Sequence, residues 1–291
     1  MNYNITHRTL YEYAAPVTVS HHVARLEPRT TNMQGCEKFS LKVFPEPALR
    51  KERTDYFGNR LCFFAVQEIH SKLEIITYSR VSVNPARDSA PENSTAWEQV
   101  AELFRDPVSP EVVDAYQFVF DSPHIRASME FADYTARSFG RGVPLLAGAA
   151  DLTRRIFEDF KFDPRATTVA TPLEEVWQKR RGVCQDFAHL GIACLRSIGL
   201  PARYVSGYLR TRPPEGRPRL VGADASHAWF RIFCPGTGWI DFDPTNNVRP
   251  ADEHIVVAYG RDFGDVSPVA GILTGGGDHD VKVSVDVEPL D

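Results

Sequence analysis

An α+β fold, with an antiparallel β-domain ahead of a core of helices and antiparallel strands, is predicted by three observations. Residues 1–88 alternate short β-prone runs with Pro, Gly and Asn turns; helical spacing broken by prolines fills 89–148; and 149–270 carries a buried-faced helix followed by a strand–turn–strand pattern. A last segment, 271–291, reads as a turn and a closing strand. At 291 residues and 43% hydrophobic, the chain is long enough for more than one domain.

In the first region the runs Phe39–Phe44, Leu61–Val66 and Leu73–Val83 are strand candidates. Asp55–Asn59, DYFGN, reads as a hairpin connection in which Gly58 and Asn59 tolerate positive φ. The polar, proline-containing stretch Ser89–Asn93 leads into helical pieces at Trp97–Phe104, Glu111–Phe120 and His124–Phe139. Gly148–Phe160 predicts a further helix, and Thr171-Pro172-Leu173-Glu174 opens another in capping-box style. At the far end Val281, Val283, Val285 and Val287 alternate with polar residues as in a half-buried strand. The preceding GGG is read as a flexible turn, because no Lys-Ser/Thr pair follows it as a phosphate loop requires.

A net charge of −5 and a pI near 6.0 give no reason to expect nucleic-acid binding. No run of about 18 apolar residues could span a bilayer, and the opening MNYNITHRTLYEY lacks the pattern of a secretory signal, so a cytoplasmic protein without membrane association is expected. The five cysteines are widely spaced and form no CxxC pair, which suggests neither a disulfide framework nor a zinc ribbon. Cys36, Cys62, Cys194 and Cys234 are expected to be structural.

Cys184 differs by position. In RRGVCQDFAHLGIACLRSIGLPARY the residues Phe187, Leu190, Cys194 and Ile198 recur at helical intervals, and Gly199 and Pro201 supply a stop. Cys184 thus falls in the first turn, where unpaired N–H groups and the positive end of the helix dipole favour the nucleophilic thiolate. Gly182 allows a close backbone approach just upstream.

Downstream, ADASHAWFRIFCPGTGWIDFDPTNN predicts a hairpin. Ala228, Phe230, Ile232, Ile240 and Phe242 form one apolar face, leaving His227, Trp229, Arg231, Asp241 and Asp243 on the other. Centring the hairpin on Gly236 sets Arg231 opposite Asp241 and Trp229 opposite Asp243, with His227 diagonal to Asp243 and within side-chain reach. Asp241 is therefore expected to pair with Arg231, and Asp243 to orient His227. Cysteine, histidine and aspartate supply the nucleophile, base and orienter that acyl transfer through a thioester requires.

The motifs GVCQDFAHL, SHAWF and GWIDFDPTN, in that order, resemble the transglutaminase-like family, whose papain-like core carries Cys, His and Asp in the same succession. TLYEYAAPVTVSHHVARLEPR with DYFGN, and RDFGDVSPVAGILTGGGDH, resemble the N-terminal region and usual C-terminal end of bacterial members. The resemblance implies a cysteine helix packed on an antiparallel sheet, with Cys184, His227 and Asp243 catalytic. No cofactor is expected, and no metal either, since Cys184, His227 and Asp243 lack the short-range ligand pair typical of zinc sites. Gln185 and Asp186 stand where calcium-dependent animal members have Trp, so neither calcium dependence nor cross-linking is implied. Gln178, six residues before the cysteine, matches the spacing of a papain-like oxyanion glutamine, alongside the backbone N–H of Cys184. Trp229 and Tyr208 are candidate walls of the substrate cleft. The expected activity is hydrolysis of an amide or isopeptide bond in a peptide or protein; transamidation and a non-catalytic binding module are the alternatives.

Overall fold

The computed structural model describes residues 1–84, 91–211 and 224–290. The expected boundary at residue 88, with Ser89 and Ala90 of the polar stretch, lies outside the described residues.

The N-terminal sheet contains β1 (Asn2–Ala24), β2 (Gln34–Phe44), β3 (Leu49–Thr54), β4 (Arg60–Val66) and β5 (His70–Val83) in the order β2-β5-β1-β4-β3. The connecting region holds α1 (Trp97–Leu103), α2 (Pro110–Tyr116) and α3 (Met129–Ala136), followed by α4 (Leu145–Asp159). Then come β6 (Lys161–Phe162), α5 (Leu173–Lys179), β7 (Arg181–Gly182) and α6 (Cys184–Ser197). A second antiparallel sheet is built from β8 (Ala202–Leu209), β9 (Ala225–Cys234), β10 (Gly238–Phe242) and β11 (His254–Gly260), in the order β10-β9-β8-β11. The chain ends with α7 (Phe263–Val266), β12 (Val269–Gly275) and β13 (His279–Leu290). No helix among the described residues is long and apolar enough to cross a membrane.

Several local expectations shift. The helix expected from His124 begins only at Met129, because the Ser128 hydroxyl accepts the Phe131 N–H and caps it there. The Thr171 capping box does not form: its hydroxyl accepts the Thr168 N–H instead, and Pro172 leads directly into α5. In DYFGN, Gly58 adopts φ +76° as expected, but Asn59 is not in the left-handed region. Its side chain donates to Asp55 at 3.0 Å and to the carbonyl of Tyr259 at 2.8 Å.

β1 is the spine of the N-terminal sheet. Its first half lies between β5 and β13, and its second half between β4 and β12. The switch falls at Tyr13–Pro16, where pairing with β5 shifts register and a proline cannot donate to the ladder. The GGG triplet sits against this bend. Gly275, Gly276 and Gly277 all have positive φ, and a Cβ on Gly275 would lie 2.5 Å from the Pro16 carbonyl. The triplet is thus a fitted reversal between β12 and β13. Of the alternating valines, Val285 and Val287 are buried whereas Val281 and Val283 are exposed, so β13 meets the core with its second half only.

One hydrophobic core runs from the start of β1 (Tyr3, Ile5), through β13 (Val285, Val287), into α6 and the second sheet. α6 is buried on every side from Asp186 to Arg196, between the sheet and helices α3, α4 and α5. The other side of the sheet is covered as well: Trp229 packs with Val205 and Tyr259, and Arg29 of the N-terminal region stacks 4.5 Å above the Tyr259 ring.

The seam between the two sheets is closed by side-chain amides. Gln34 donates to and accepts from the backbone of Val256, each at 2.8 Å, and Asn59 does the same to Tyr259. Two carboxamides thereby satisfy peptide groups along the outer edge of β11, across the irregularity between Val256 and Ala258.

Candidate active site

Cys184 opens α6 and is half-buried. The parallel pair β6–β7 delivers the chain to this point, and Asp186 fixes the start of the helix by accepting from the Val183 N–H (2.8 Å) and the Thr167 hydroxyl (2.6 Å). Burial raises the Asp186 carboxyl above its ordinary value, and those two hydrogen bonds hold it down only in part. The close approach at Gly182 is to this carboxylate: a Cβ there would lie 2.6 Å from Oδ2 of Asp186.

The β9–β10 hairpin has the predicted register, with Arg231 opposite Asp241 and Ile232 opposite Ile240. Arg231 forms an ion pair with Asp241 at 3.0 Å, and the Trp229 indole N–H donates to the same carboxylate at 2.7 Å. Asp243 lies just past the end of β10 and is fully buried. Its Oδ2 accepts from Nε2 of His227 at 2.8 Å, from Nε2 of His254 at 3.1 Å and from the Asn246 amide at 2.7 Å. Its Oδ1 accepts the backbone N–H groups of Thr245 and Asn246, so the same carboxylate also caps the Pro-Thr turn.

With Nε2 of His227 committed to Asp243, Nδ1 is the ring nitrogen left for the Cys184 thiol, which lies within hydrogen-bonding reach of the imidazole. Burial by itself pulls His227 toward the neutral form. The hydrogen bonds and charges of Asp243 and Cys184 outweigh that pull and hold the imidazolium up to about 10. Burial likewise works against an ionised Asp243, but its bonds to His227 and His254 depress the carboxyl well below the usual carboxylate range. The geometry therefore favours an anionic carboxylate and a cationic imidazole beside the thiol.

His254 is the residue that sequence reasoning did not find. It opens β11 and is buried edge-on to Trp229, with ring centroids 5.2 Å apart. Its only signal in the sequence is a histidine at the head of the apolar run IVVAYG. The ligand atoms of His227, Asp243 and His254 fall within 4.8 Å of one another, a spacing a cation could use. They are already spent on hydrogen bonds between two ring donors and one carboxylate, so the cluster fits an orienting hydrogen-bond network better than a metal centre.

Three subsidiary expectations are corrected. Gln178 is exposed on α5 and makes no hydrogen bond to any described residue, so nothing places it as an oxyanion donor. Tyr208 is buried against His7 of β1, at 5.6 Å between rings, and belongs to the packing between the sheets. Trp229 is completely buried behind the two histidines and supports them from the rear. Alternation along a strand gives a residue's face but not what covers that face. Cys62, Cys194 and Cys234 are buried and Cys36 half-buried; burial pushes the Cys194 thiol up to about 12, as suits an inert core residue.

A helix-borne cysteine beside a strand-borne histidine, itself held by an aspartate from the following strand, is the arrangement of thiol-dependent acyl-transfer proteins. The chain belongs to the transglutaminase-like superfamily: residues 133–244 match its core, and residues 3–82 match the bacterial transglutaminase-like N-terminal region. An uncharacterized protein of Mycobacterium tuberculosis is 40% identical over 294 residues, covering 99% of this chain and 93% of its own length. A protein-glutamine gamma-glutamyltransferase of Pseudomonas aeruginosa is 32% identical over 107 residues, 34% of this chain and 16% of that protein. The fold is that of a crystal structure from Cytophaga hutchinsonii described as a candidate cysteine protease, at TM-score 0.76 and 22% identity, over 100% of this chain and 92% of that one. The core is thus papain-like, with the cysteine helix on an antiparallel sheet.

Proposed function

We propose that the protein hydrolyses an amide or isopeptide bond in a peptide or protein, through a thioester on Cys184. The observation that carries this reading is the buried hydrogen bond between Nε2 of His227 and Asp243, which leaves the other ring nitrogen of His227 available to the neighbouring Cys184 thiol. The Cys184 thiolate attacks the carbonyl carbon, and the developing oxyanion is met by the Cys184 backbone N–H, which as the first of its helix has no intrahelical acceptor. His227 then gives its proton to the departing amine as the C–N bond breaks, leaving a thioester and a neutral imidazole. Water, deprotonated by that imidazole, attacks the thioester and releases the carboxylic acid and the thiolate. Asp243 holds the ring orientation and stabilises its charge throughout.

A second reading, transamidation with an amine replacing water, is favoured by the resemblance of 107 residues to the Pseudomonas gamma-glutamyltransferase. Hydrolysis is preferred because transamidation needs water excluded and a second acceptor surface. Intact and product mass spectrometry separates the two, using wild type and Cys184→Ala on glutamine and isopeptide substrates with and without a primary amine. Cys184-dependent release of ammonia or peptide without amine incorporation is expected. Amine-containing products would establish transamidation, and products that persist unchanged in Cys184→Ala would remove the thioester mechanism altogether.

A further inference from the structure

A cavity of about 560 Å³ lies on the Trp229 side of the second sheet, closed on its far wall by Thr31–Gln34 of the N-terminal region. Neither Cys184 nor His227 lines it. Two of its arginines, Arg203 and Arg231, face a single carboxylate among the described lining residues, Asp241. That carboxylate is committed, since it pairs with Arg231 and accepts from Trp229. Arg231 also donates to the Tyr259 hydroxyl (2.6 Å) and the Trp239 carbonyl (3.0 Å), which leaves it little to offer a ligand.

Arg203 is in the opposite position. It sits directly across from Arg231 in the β8–β9 register, like charge against like. Its guanidinium is stacked between the rings of Trp239 (4.1 Å) and Tyr259 (4.0 Å), which fixes its plane. It forms no ion pair with any described residue, and its Nε, like that of Arg231, is buried without a hydrogen-bond partner. Burial, then the neighbouring Arg231, pushes the guanidinium down to about 9, as expected of a cation lacking its counter-ion. A half-buried planar fork, pre-oriented by two aromatic rings and facing a cavity with one committed carboxylate, is suited to a planar or tetrahedral anion.

We propose that this cavity is a second binding site, distinct from the thiol site, which takes a small organic anion: a carboxylate or phosphate directed at Arg203, with an apolar body against Trp239. The site is coupled to the candidate active site through His254, which lines the cavity and donates to Asp243. Ligand binding itself does not depend on the proposed reaction.

The test is calorimetric titration of the full chain at fixed ionic strength with inorganic phosphate, with benzoate and with neutral benzamide. Saturable one-to-one binding of phosphate or benzoate is expected, with benzamide weaker by about tenfold or more, the order of one lost charge-assisted hydrogen bond. A preference for phosphate identifies a phosphoryl ligand and a preference for benzoate a carboxylate; either supports the site. Arg203→Gln is expected to weaken binding about tenfold or more. Because Arg203 is packed, Thr237→Glu is the second variant: this exposed turn residue lines the cavity, and the new carboxylate should repel the anion without disturbing the core. The proposal is overturned if neither anion binds saturably, or if binding is the same in Thr237→Glu as in wild type.

Discussion

The two histidines on Asp243 come from regions built in different ways. His227 belongs to the β9–β10 hairpin, where a short turn and strict alternation set every neighbour locally. His254 belongs to β11, whose outer edge is held by Gln34 and Asn59 from some 200 residues away in the chain. One carboxylate oxygen accepts from both rings, yet only His227 has its second nitrogen beside a thiol. In the proposed mechanism the same bond to the same atom would serve proton transfer in one case and support in the other, and the third group in reach makes the difference.

Substitution should separate the two roles most sharply. His227→Ala is expected to lower kcat/KM on hydrolysable substrate on the order of 10³-fold or more, as loss of an acid–base residue in such a set does. His254→Ala should cost only about tenfold, mostly in kcat, because one donor to Asp243 is lost while His227 remains. Comparable losses from the two would erase the distinction.

The pH dependence of stability sharpens it further. Asp243 is depressed on folding, so its contribution is complete above its ordinary value of 3.8 and disappears as the pH falls through the lower folded value. His227 is raised from 6.5 to about 10, so its contribution is complete below 6.5 and is lost as the pH climbs toward 10. Thermal melts across pH should show wild type losing a few kcal/mol more than His227→Ala between about pH 6.5 and 10. Parallel profiles for the two proteins would contradict the charged pair.

The smallest effect belongs to the seam. Asn59→Ala should destabilise the fold by about 1–3 kcal/mol, the cost of leaving buried peptide groups at Tyr259 unmatched, with kcat close to wild type. Denaturant unfolding measures the first and steady-state kinetics the second. A kcat loss larger than that of His254→Ala would make the seam part of the catalytic apparatus.

This contrast also explains what the sequence revealed. Hairpin register was legible because Gly236 and Gly238 fix the turn and a one-residue slip would expose Phe230, Ile232 and Phe242 together. The start of α6 at Cys184 was legible from helical periodicity with its Gly and Pro stops. Partners distant in sequence were not. Nothing in the valine alternation of β13 says that it pairs with β1, and β12 was not distinguished from the turn that follows it. Tyr208, Trp229 and His254 were misplaced or missed for the same reason, since the face of a strand residue is local information and its cover is not.

The two carboxamides along β11 have one more consequence. β11 is the last strand of its sheet, and an uncovered last strand is a template on which another chain can extend the ladder. By occupying the peptide groups of Val256 and Tyr259, Gln34 and Asn59 deny that template to a neighbouring molecule. The N-terminal region thus covers the open edge of the second sheet along the very strand that carries His254.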